Sequence, residues 1–297
     1  MSTERRRIGD RRDGKLVRDV DGMHLITPML YPNRCDNEAF ISERIDLTET
    51  NKYIAKLNEG DPKFKYTLFH IIVASILKAL MLRPKLNRFI QNKNTYQRNK
   101  FSASFVVRKH FDDKSEEGLA IVYAEKDSNL QSLHEDLYKM IYRERSSEDA
   151  ANSTNNAMDI LTKVPRWFVK FFVWLMRVFD RFGIVPHSLI DSDPYYASVI
   201  LTNLGSIKLK SGYHHLTNWG TTSVFVIVGE IKNRLFTNAD GTEEMRPSVD
   251  LGFTIDERLA DGYYYSKSIK LFKYIVEHPE CLERPFGEEI DLGEIRK

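Results

Sequence analysis

Residues 249–262 read Val-Asp-Leu-Gly-Phe-Thr-Ile-Asp-Glu-Arg-Leu-Ala-Asp-Gly, an apolar alternation that ends in a charged turn. Apolar side chains occupy every second position from 249 to 255, which is typical of a strand with one buried face. If the strand continues through residue 257, alternation puts Asp256 and Arg258 on one face and Glu257 on the other. The pattern therefore predicts a strand whose polar end presents Glu257 without neutralisation by its sequence neighbours.

The segments on either side of this strand predict further buried elements. Residues 67–80 are almost continuously apolar after Thr67, which predicts a capped helix that is buried on most sides. Runs rich in β-branched and aromatic residues predict strands. These runs are 101–108, 119–124, 199–206 and 223–231. Residues 238–241, Asn-Ala-Asp-Gly, predict a hairpin turn before the strand at 249, and a last helix over about residues 264–277 stops at Pro279.

Taken in order, these segments resemble a superfamily of coenzyme A-dependent acyltransferases. It includes chloramphenicol acetyltransferase and the dihydrolipoyl acyltransferase cores of 2-oxoacid dehydrogenase complexes. The resemblance covers about residues 41–282, from the long helix with its Pro-x-Leu-Asn ending to the closing Pro-Glu helix end. Residues 199–206 resemble the strand and turn that read Ser-Asn-Leu-Gly in the acyltransferase cores. The resemblance implies an α/β fold, a two-layer sandwich of a mixed β-sheet with helices.

The family's catalytic segment reads His-x-x-x-Asp-Gly, and Glu257 stands here where the family has its histidine. The resemblance implies that this histidine deprotonates the attacking thiol or hydroxyl, while a Ser or Thr hydroxyl stabilises the oxyanion. By matched position the base falls on Glu257 and the hydroxyl on Thr202. Asp261 falls on the aspartate that makes a structural ion pair with an arginine. The resemblance further implies a homotrimer whose active sites lie at subunit boundaries.

The replaced histidine leaves the activity open. An imidazole with an ordinary pKa near 6.5 exchanges protons at neutral pH, whereas a glutamate at about 4.3 is a far weaker base unless burial raises its pKa. One hypothesis keeps Glu257 as the base, and a second gives it a buried or interfacial hydrogen bond in a site that has lost catalysis. A third places the base on His215, because His214 and His215 lie in the connection that follows Thr202. His70, inside the long apolar helix, is assigned no chemistry.

Composition limits the classes of partner. The 44 Lys and Arg residues against 42 Asp and Glu give a formal net charge of +2, which is too balanced to indicate nucleic acid binding. Cys35 and Cys281 lie far apart without Cys-x-x-Cys spacing, so we expect two free thiols and no metal site. No apolar stretch follows the N-terminal charges, so we predict no secretory signal and expect a cytoplasmic protein.

Residues 1–25 are rich in arginine and poor in apolar side chains, and we interpret them as a mobile basic arm. Such an arm is either a solvated tail or docks on an anionic membrane or partner. Residues 26–297 then form one acyltransferase-like catalytic-core domain. Nothing before Phe40 is long or apolar enough for a lipoyl domain, so a coenzyme A thioester, rather than an attached lipoyl group, is the expected co-substrate.

Residues 165–183 predict a helix that is apolar except for one narrow stripe. The stripe holds Arg166, Lys170, Arg177 and Arg181, spaced 4, 7 and 4 residues apart. The segment is too short and too charged for an ordinary transmembrane helix, which needs about 20 apolar residues. Three interpretations stay open: a helix buried in the fold or between subunits, an interfacial membrane helix with snorkelling cations, and a lid over an acyl-chain channel. The second, together with the basic arm, predicts weak membrane-surface contact.

Two functions are consistent with these patterns. The first is an acyltransferase that moves an acyl group from coenzyme A or another thioester to an acceptor which the sequence does not identify. The second is a non-catalytic trimeric scaffold, or acyl-thioester-binding protein, that has lost the catalytic histidine.

Overall fold

A six-stranded sheet dominates the computed structural model, which describes residues 7–108, 117–146 and 164–290. In this part of the chain the strands are β1 (Gly14–Leu16), β2 (Glu38–Asp46), β3 (Arg88–Gln91), β4 (Asn94–Arg98), β5 (Phe101–Arg108), β6 (Glu117–Ala124), β7 (Val199–Asn203), β8 (Val224–Thr237) and β9 (Glu243–Asp256). The helices are α1 (Gly22–Leu30), α2 (Thr48–Leu57), α3 (Leu68–Leu82), α4 (Leu130–Ser146), α5 (Arg166–Arg181), α6 (His187–Ser192) and α7 (Gly262–Glu277).

The large sheet has the strand order β2-β9-β8-β7-β5-β6 and is mixed. Strand β7 runs parallel to both β5 and β8, whereas the remaining neighbours are antiparallel. The predicted hairpin joins β8 to β9, and its turn contains Gly241 at a φ of 83°, a left-handed conformation that glycine adopts without steric cost. The mixed α/β architecture predicted from the resemblance is thus confirmed.

The helices α3, α4 and α7 pack on one face of this sheet, and the main core lies between the two layers. Alternation along β9 sends Leu251, Phe253 and Ile255 into this core, as the opening stretch predicted. Helix α3 supplies the deepest apolar surface, since twelve of its fifteen residues are buried. Its first turn is closed reciprocally by Thr67 and His70, so Thr67 caps the helix as predicted.

The N-terminal segment, described from Arg7 onward, belongs to the folded structure. Strand β1 pairs with β4 in a second, three-stranded sheet of order β1-β4-β3. The guanidinium of Arg11 is buried and lies 2.8 Å from the carboxylate of Asp13 and 2.7 Å from that of Asp180. Residues 7–25 therefore differ from the expected mobile arm. Composition alone would leave the charge of Arg11 in solvent, but it is paired with buried carboxylates 2 and 169 residues away.

Helix α5 forms as predicted but does not enter the core of its own chain. Among its sixteen residues only Asp180, near the C-terminal end, is buried. The interpretation of a helix buried in the fold is therefore wrong for the single chain. Within the described ranges, no helix is both long enough and apolar enough to cross a bilayer.

Candidate functional site

Glu257 lies at the first position after β9, in a single 3-10 turn, Glu257–Leu259. The turn begins there because Asp256 caps it with its side chain, so strand alternation stops one residue earlier than predicted. The backbone N–H of Glu257 donates to the carbonyl of Asn37 at 3.0 Å, which ties the turn to the start of β2. The side chain itself is exposed. The structure thus holds the backbone of Glu257 firmly and leaves its carboxylate accessible.

A buried ionic network supports this turn. The guanidinium of Arg258 donates to both carboxylate oxygens of Asp256, at 2.8 and 2.6 Å, and both side chains are essentially inaccessible. The guanidinium of Arg34 lies 3.9 Å from the same carboxylate. Burial lowers the pKa of Arg34, and the charge of Asp256 opposes that shift. Arg258 is thereby committed to Asp256, so it does not neutralise Glu257, as the sequence predicted. Arg34 was missed because it lies 222 positions before its partner.

Asp261 has a different role from the ion pair that the resemblance implied. Its carboxylate accepts a hydrogen bond from the backbone N–H of Tyr264 at 2.7 Å and caps the N-terminus of α7. In the part of the chain that the structure describes, Asp261 makes no ion pair with an arginine, and its side chain is exposed. The ion-pair expectation is therefore wrong for Asp261, and the arginine pairing belongs instead to Asp256.

Thr202 lies in β7 and is half-buried on the sheet face opposite α3. The register aligns it with Ile227 of β8, which in turn aligns with Gly252 of β9, five residues before Glu257. Adjacent strands lie about 4.8 Å apart and each residue advances about 3.3 Å, so Thr202 and Glu257 are about 20 Å apart in one chain. One chain does not bring the two predicted catalytic groups together.

His214 and His215 lie in a segment that crosses this same sheet face. The crossing is so close that a Cβ on Gly252 would lie 1.9 Å from the carbonyl oxygen of Gly212. The ring of His214 stacks on that of Phe225 and on that of His215, with centroids 4.6 Å apart in each case. Both histidines are exposed. They lie nearer to Thr202 than Glu257 does, because Phe225 aligns with Ile200, two residues before Thr202.

His70 lies away from these groups, at the start of α3 beside Tyr66 and His134. Its Nδ1 accepts a hydrogen bond from the backbone N–H of Thr67 at 3.1 Å, while its Nε2 is buried without a hydrogen-bond partner. Burial lowers the pKa of His70 to about 4, and the neighbouring His134 adds to the shift. This histidine is therefore a neutral structural group in the helix layer.

The two cysteines are free thiols, as predicted. The thiol of Cys35 donates to the carbonyl of Leu216 at 2.9 Å, and burial raises its pKa. This contact ties the segment before β2 to the end of the crossing segment.

A cleft of about 400 Å³ opens next to the turn that carries Glu257. Five basic side chains line it, together with one acid, Asp180. Two of the five, Arg34 and Arg258, are buried and already lie against Asp256, whereas the other three are exposed. The basic residues are Arg34, Lys93, Arg177, Arg181 and Arg258. The three exposed cations, Lys93, Arg177 and Arg181, suit a phosphate-bearing group. Sequence reasoning missed this cleft because its lining comes from five distant segments.

Comparison with known proteins gives structural likenesses only. No protein family and no curated protein matches the sequence. The cubic core of a pyruvate dehydrogenase multienzyme complex is 12% identical over 90% of this chain and 94% of that one, with a TM-score of 0.59. Dihydrolipoamide acetyltransferase from Azotobacter vinelandii is 12% identical over the same shares, 90% and 94%, with a TM-score of 0.57. A chloramphenicol acetyltransferase is 11% identical over 89% and 98%, with a TM-score of 0.50.

These likenesses show that the chain has the fold of the chloramphenicol acetyltransferase-like acyltransferases. The likeness to the dihydrolipoamide acetyltransferase catalytic cores extends along almost the whole length of both chains. The Azotobacter enzyme has been studied for the roles of one serine, one histidine and one asparagine in its catalytic mechanism, and the last two lie four positions apart.

Proposed function

We propose that the protein is an acyltransferase that moves an acyl group from coenzyme A or another thioester to an acceptor, at sites between the subunits of a homotrimer. The separation of Thr202 and Glu257 carries this proposal. Both residues match catalytic positions of the family, yet the sheet register keeps them about 20 Å apart in one chain. A site that uses both groups therefore needs Thr202 from one chain and Glu257 from another.

In the proposed reaction, the carboxylate of Glu257 takes the proton from the thiol, hydroxyl or amine of the acceptor. The acceptor atom then bonds to the thioester carbonyl carbon, and the Thr202 hydroxyl of the adjacent subunit donates a hydrogen bond to the resulting oxyanion. Collapse of this intermediate breaks the carbon–sulfur bond. The departing thiolate receives the proton from Glu257, which restores the carboxylate.

Two observations support these roles. The buried pairing of Asp256 with Arg258 and the hydrogen bond from Glu257 to Asn37 fix the backbone that presents the carboxylate. In the Azotobacter enzyme the studied histidine and asparagine lie four positions apart, as Glu257 and Asp261 do here, and the studied serine carries a hydroxyl as Thr202 does.

A second candidate is a non-catalytic trimer that binds an acyl thioester or serves as a scaffold. The exposure of Glu257 favours it, because a carboxylate becomes an effective base near neutral pH when burial desolvates it. In a single chain no such burial exists, so the neighbouring subunit would have to supply it. His215 is the other candidate base, since it lies on the same sheet face as Thr202.

Release of thiol from acyl-coenzyme A, measured with amine, alcohol and thiol acceptors, separates the candidates. We expect Glu257→Gln to lower turnover about 10²- to 10⁴-fold while His215→Ala leaves it unchanged. Full turnover in Glu257→Gln, with loss in His215→Ala, would move the base to His215. A silent native protein that gains turnover in Glu257→His would establish the non-catalytic candidate.

Mixed trimers test whether the site spans two chains. We expect Thr202→Val and Glu257→Gln chains each to be nearly inactive alone, because each lacks one catalytic group at every boundary. Co-expressed in equal amounts, they should recover turnover at about a quarter of the boundaries, since that share pairs an intact Thr202 with an intact Glu257. Mixtures that stay as inactive as the separate variants would mean that the two residues act within one chain or not at all.

A further inference from the structure

Helix α5 exposes an aromatic surface that the described part of its own chain does not cover. The exposed fractions are 70% for Trp167, 52% for Phe171 and 57% for Trp174, which lie four and three residues apart on one side of the helix. Phe182, just past the helix, continues the surface with 67% exposure. Contiguous exposed aromatic residues of this kind mark an interaction surface rather than ordinary solvent contact.

The polar side of α5 is cationic. At 100° per residue its four basic side chains fall within about 60° of one another around the helix axis, directly beside Trp174. They are Arg166, Lys170, Arg177 and Arg181, and all four are exposed. The single acid of the helix, Asp180, is turned inward and pairs with the buried Arg11. The accessible surface of α5 is thus aromatic along one side and positive along the next, without an exposed acid.

The cationic surface continues beyond the helix. Arg177 and Arg181 form one wall of the cleft, which the exposed Lys93 also lines. Positive charge therefore extends from the polar stripe of α5 into a concave surface near its C-terminal end. The net charge of the whole chain is only +2, so this concentration of basic groups is local.

We propose that α5 docks on an anionic lipid surface, with its aromatic residues inserted among the acyl chains and its basic residues against headgroup phosphates. Helices that lie in the plane of a membrane interface typically carry Trp and Phe on one face and Lys and Arg on the other, as α5 does. Self-association of α5 with a second copy fits less well, because two cationic stripes would be brought together. The docking is independent of acyl transfer, since it uses neither Thr202 nor Glu257.

Vesicle binding tests the proposal with the intact protein. We expect co-sedimentation with vesicles that contain phosphatidylglycerol, much weaker binding to phosphatidylcholine alone, and weakening of the former by salt. Two of the three tryptophans lie on α5, whereas Trp219 is half-buried and donates its indole N–H to Asp193 at 2.7 Å. In a Trp219→Phe variant all tryptophan emission comes from α5, and it should shift to shorter wavelength when anionic vesicles are added.

Paired substitutions assign the binding to this surface. Trp167→Ser combined with Phe171→Ser removes inserted aromatic area, and Arg166→Gln combined with Lys170→Gln removes two charges. We expect each pair to weaken binding to anionic vesicles about tenfold or more. The matched control is Leu235→Ser with Met245→Ser, which removes exposed apolar side chains from the β8–β9 hairpin and should leave binding unchanged.

Three results would overturn the proposal. The first is no co-sedimentation with anionic vesicles even at low salt. The second is equal loss of binding in the hairpin control and in the α5 pairs, which would mean non-specific adsorption. The third is a lower oligomeric mass by light scattering for the aromatic pair, without vesicle binding by the native protein, which would assign the surface to a subunit interface.

Discussion

Helices α3 and α5 are both rich in large apolar side chains and differ by one residue in length, yet they occupy opposite environments. Twelve residues of α3 are buried, whereas α5 buries one. The difference lies in their charges. Helix α3 contains a single basic residue, Lys78, whose ammonium donates to the carbonyl of Pro285 at 2.8 Å. Helix α5 carries four exposed basic residues that keep one side in water.

Apolar content predicts that a helix is in contact with a non-aqueous environment, whereas the charge pattern limits which environment that is. A helix without a polar stripe can be surrounded by protein on all sides. A helix with a continuous cationic stripe keeps that side in water, and its apolar side can pack on its own core, on another subunit or on a membrane surface. In α5 only Asp180 is buried, which leaves the last two. Four substitutions test this contrast.

Leu77→Ala in α3 should have the largest effect. Leu77 is fully buried, so the truncation removes transfer free energy and leaves a cavity, which costs about 2–5 kcal/mol of unfolding free energy. Urea denaturation followed by circular dichroism measures it. The matched control is Leu175→Ala in α5, a partly exposed leucine, for which we expect a loss under about 1 kcal/mol. Equal losses at both positions would contradict the contrast.

His70→Gln should flatten the acid limb of the stability curve. The pKa of His70 is lowered to about 4 by burial, so between pH 6.5 and about 4 the unfolded chain binds a proton that the folded chain does not. Its stabilising contribution is therefore complete above pH 6.5 and falls by about 3 kcal/mol as the pH approaches 4. Glutamine keeps an acceptor for the N–H of Thr67 and does not titrate.

Unfolding free energies of the native protein and of His70→Gln, measured by denaturant titration at several pH values across this window, give the comparison. The separation between the two curves should be constant above pH 6.5 and should change by about 3 kcal/mol between pH 6.5 and 4. Parallel curves would show that His70 is not neutral in the fold.

Asp180→Asn should loosen the anchor of α5 without unfolding the domain. The substitution removes the charge that Arg11 contacts at 2.7 Å, although Arg11 keeps Asp13, so we expect a loss of about 1–3 kcal/mol that is local to α5. Trypsin cleavage after Arg166 or Lys170 should become about tenfold faster. Asp191→Asn, which breaks an exposed pair with Lys100, should leave the cleavage rate nearly unchanged.

Phe171→Ser should have the smallest effect on folding. The side chain is half-exposed and contacts no core, so the unfolding free energy should change by less than about 0.5 kcal/mol. Phe272→Ser in α7, at a buried position, is the opposite case and should cost several times more. A large loss for Phe171→Ser would mean that α5 is buried against a neighbouring chain in the native assembly.

The sequence predicted five of the six strands of the main sheet, all except β2, and the helix α3, because their signals are local. Thr67 and His70 are three residues apart and close the cap between themselves, and the alternation from 249 to 255 is complete within one strand. The end of β9 at Asp256 was not predictable in the same way. It depends on the carboxylate of Asp256, which forms an ion pair with Arg258, two residues later, and lies near Arg34, 222 residues earlier.

The candidate site was predicted as a set of residues but not as an arrangement. Resemblance placed Thr202, Glu257 and Asp261 at matched positions, yet it gave Asp261 an ion pair where the structure has a helix cap. A carboxylate before an N-terminal helix turn can do either, and only the three-dimensional position of the nearest arginine decides. The cationic cleft could not be predicted from the sequence either, because it is assembled from segments that share no sequence pattern.

The sheet register that separates Thr202 from Glu257 makes the proposed reaction depend on the concentration of assembled protein. If each reacting centre is shared between two chains, the concentration of the protein itself becomes a kinetic variable. Dilution that parts the subunits would switch the reaction off while every chain stays folded. In a mixture of intact chains with chains altered at both residues, each altered chain would silence both boundaries it touches, so the loss of turnover would exceed the loss of intact protein.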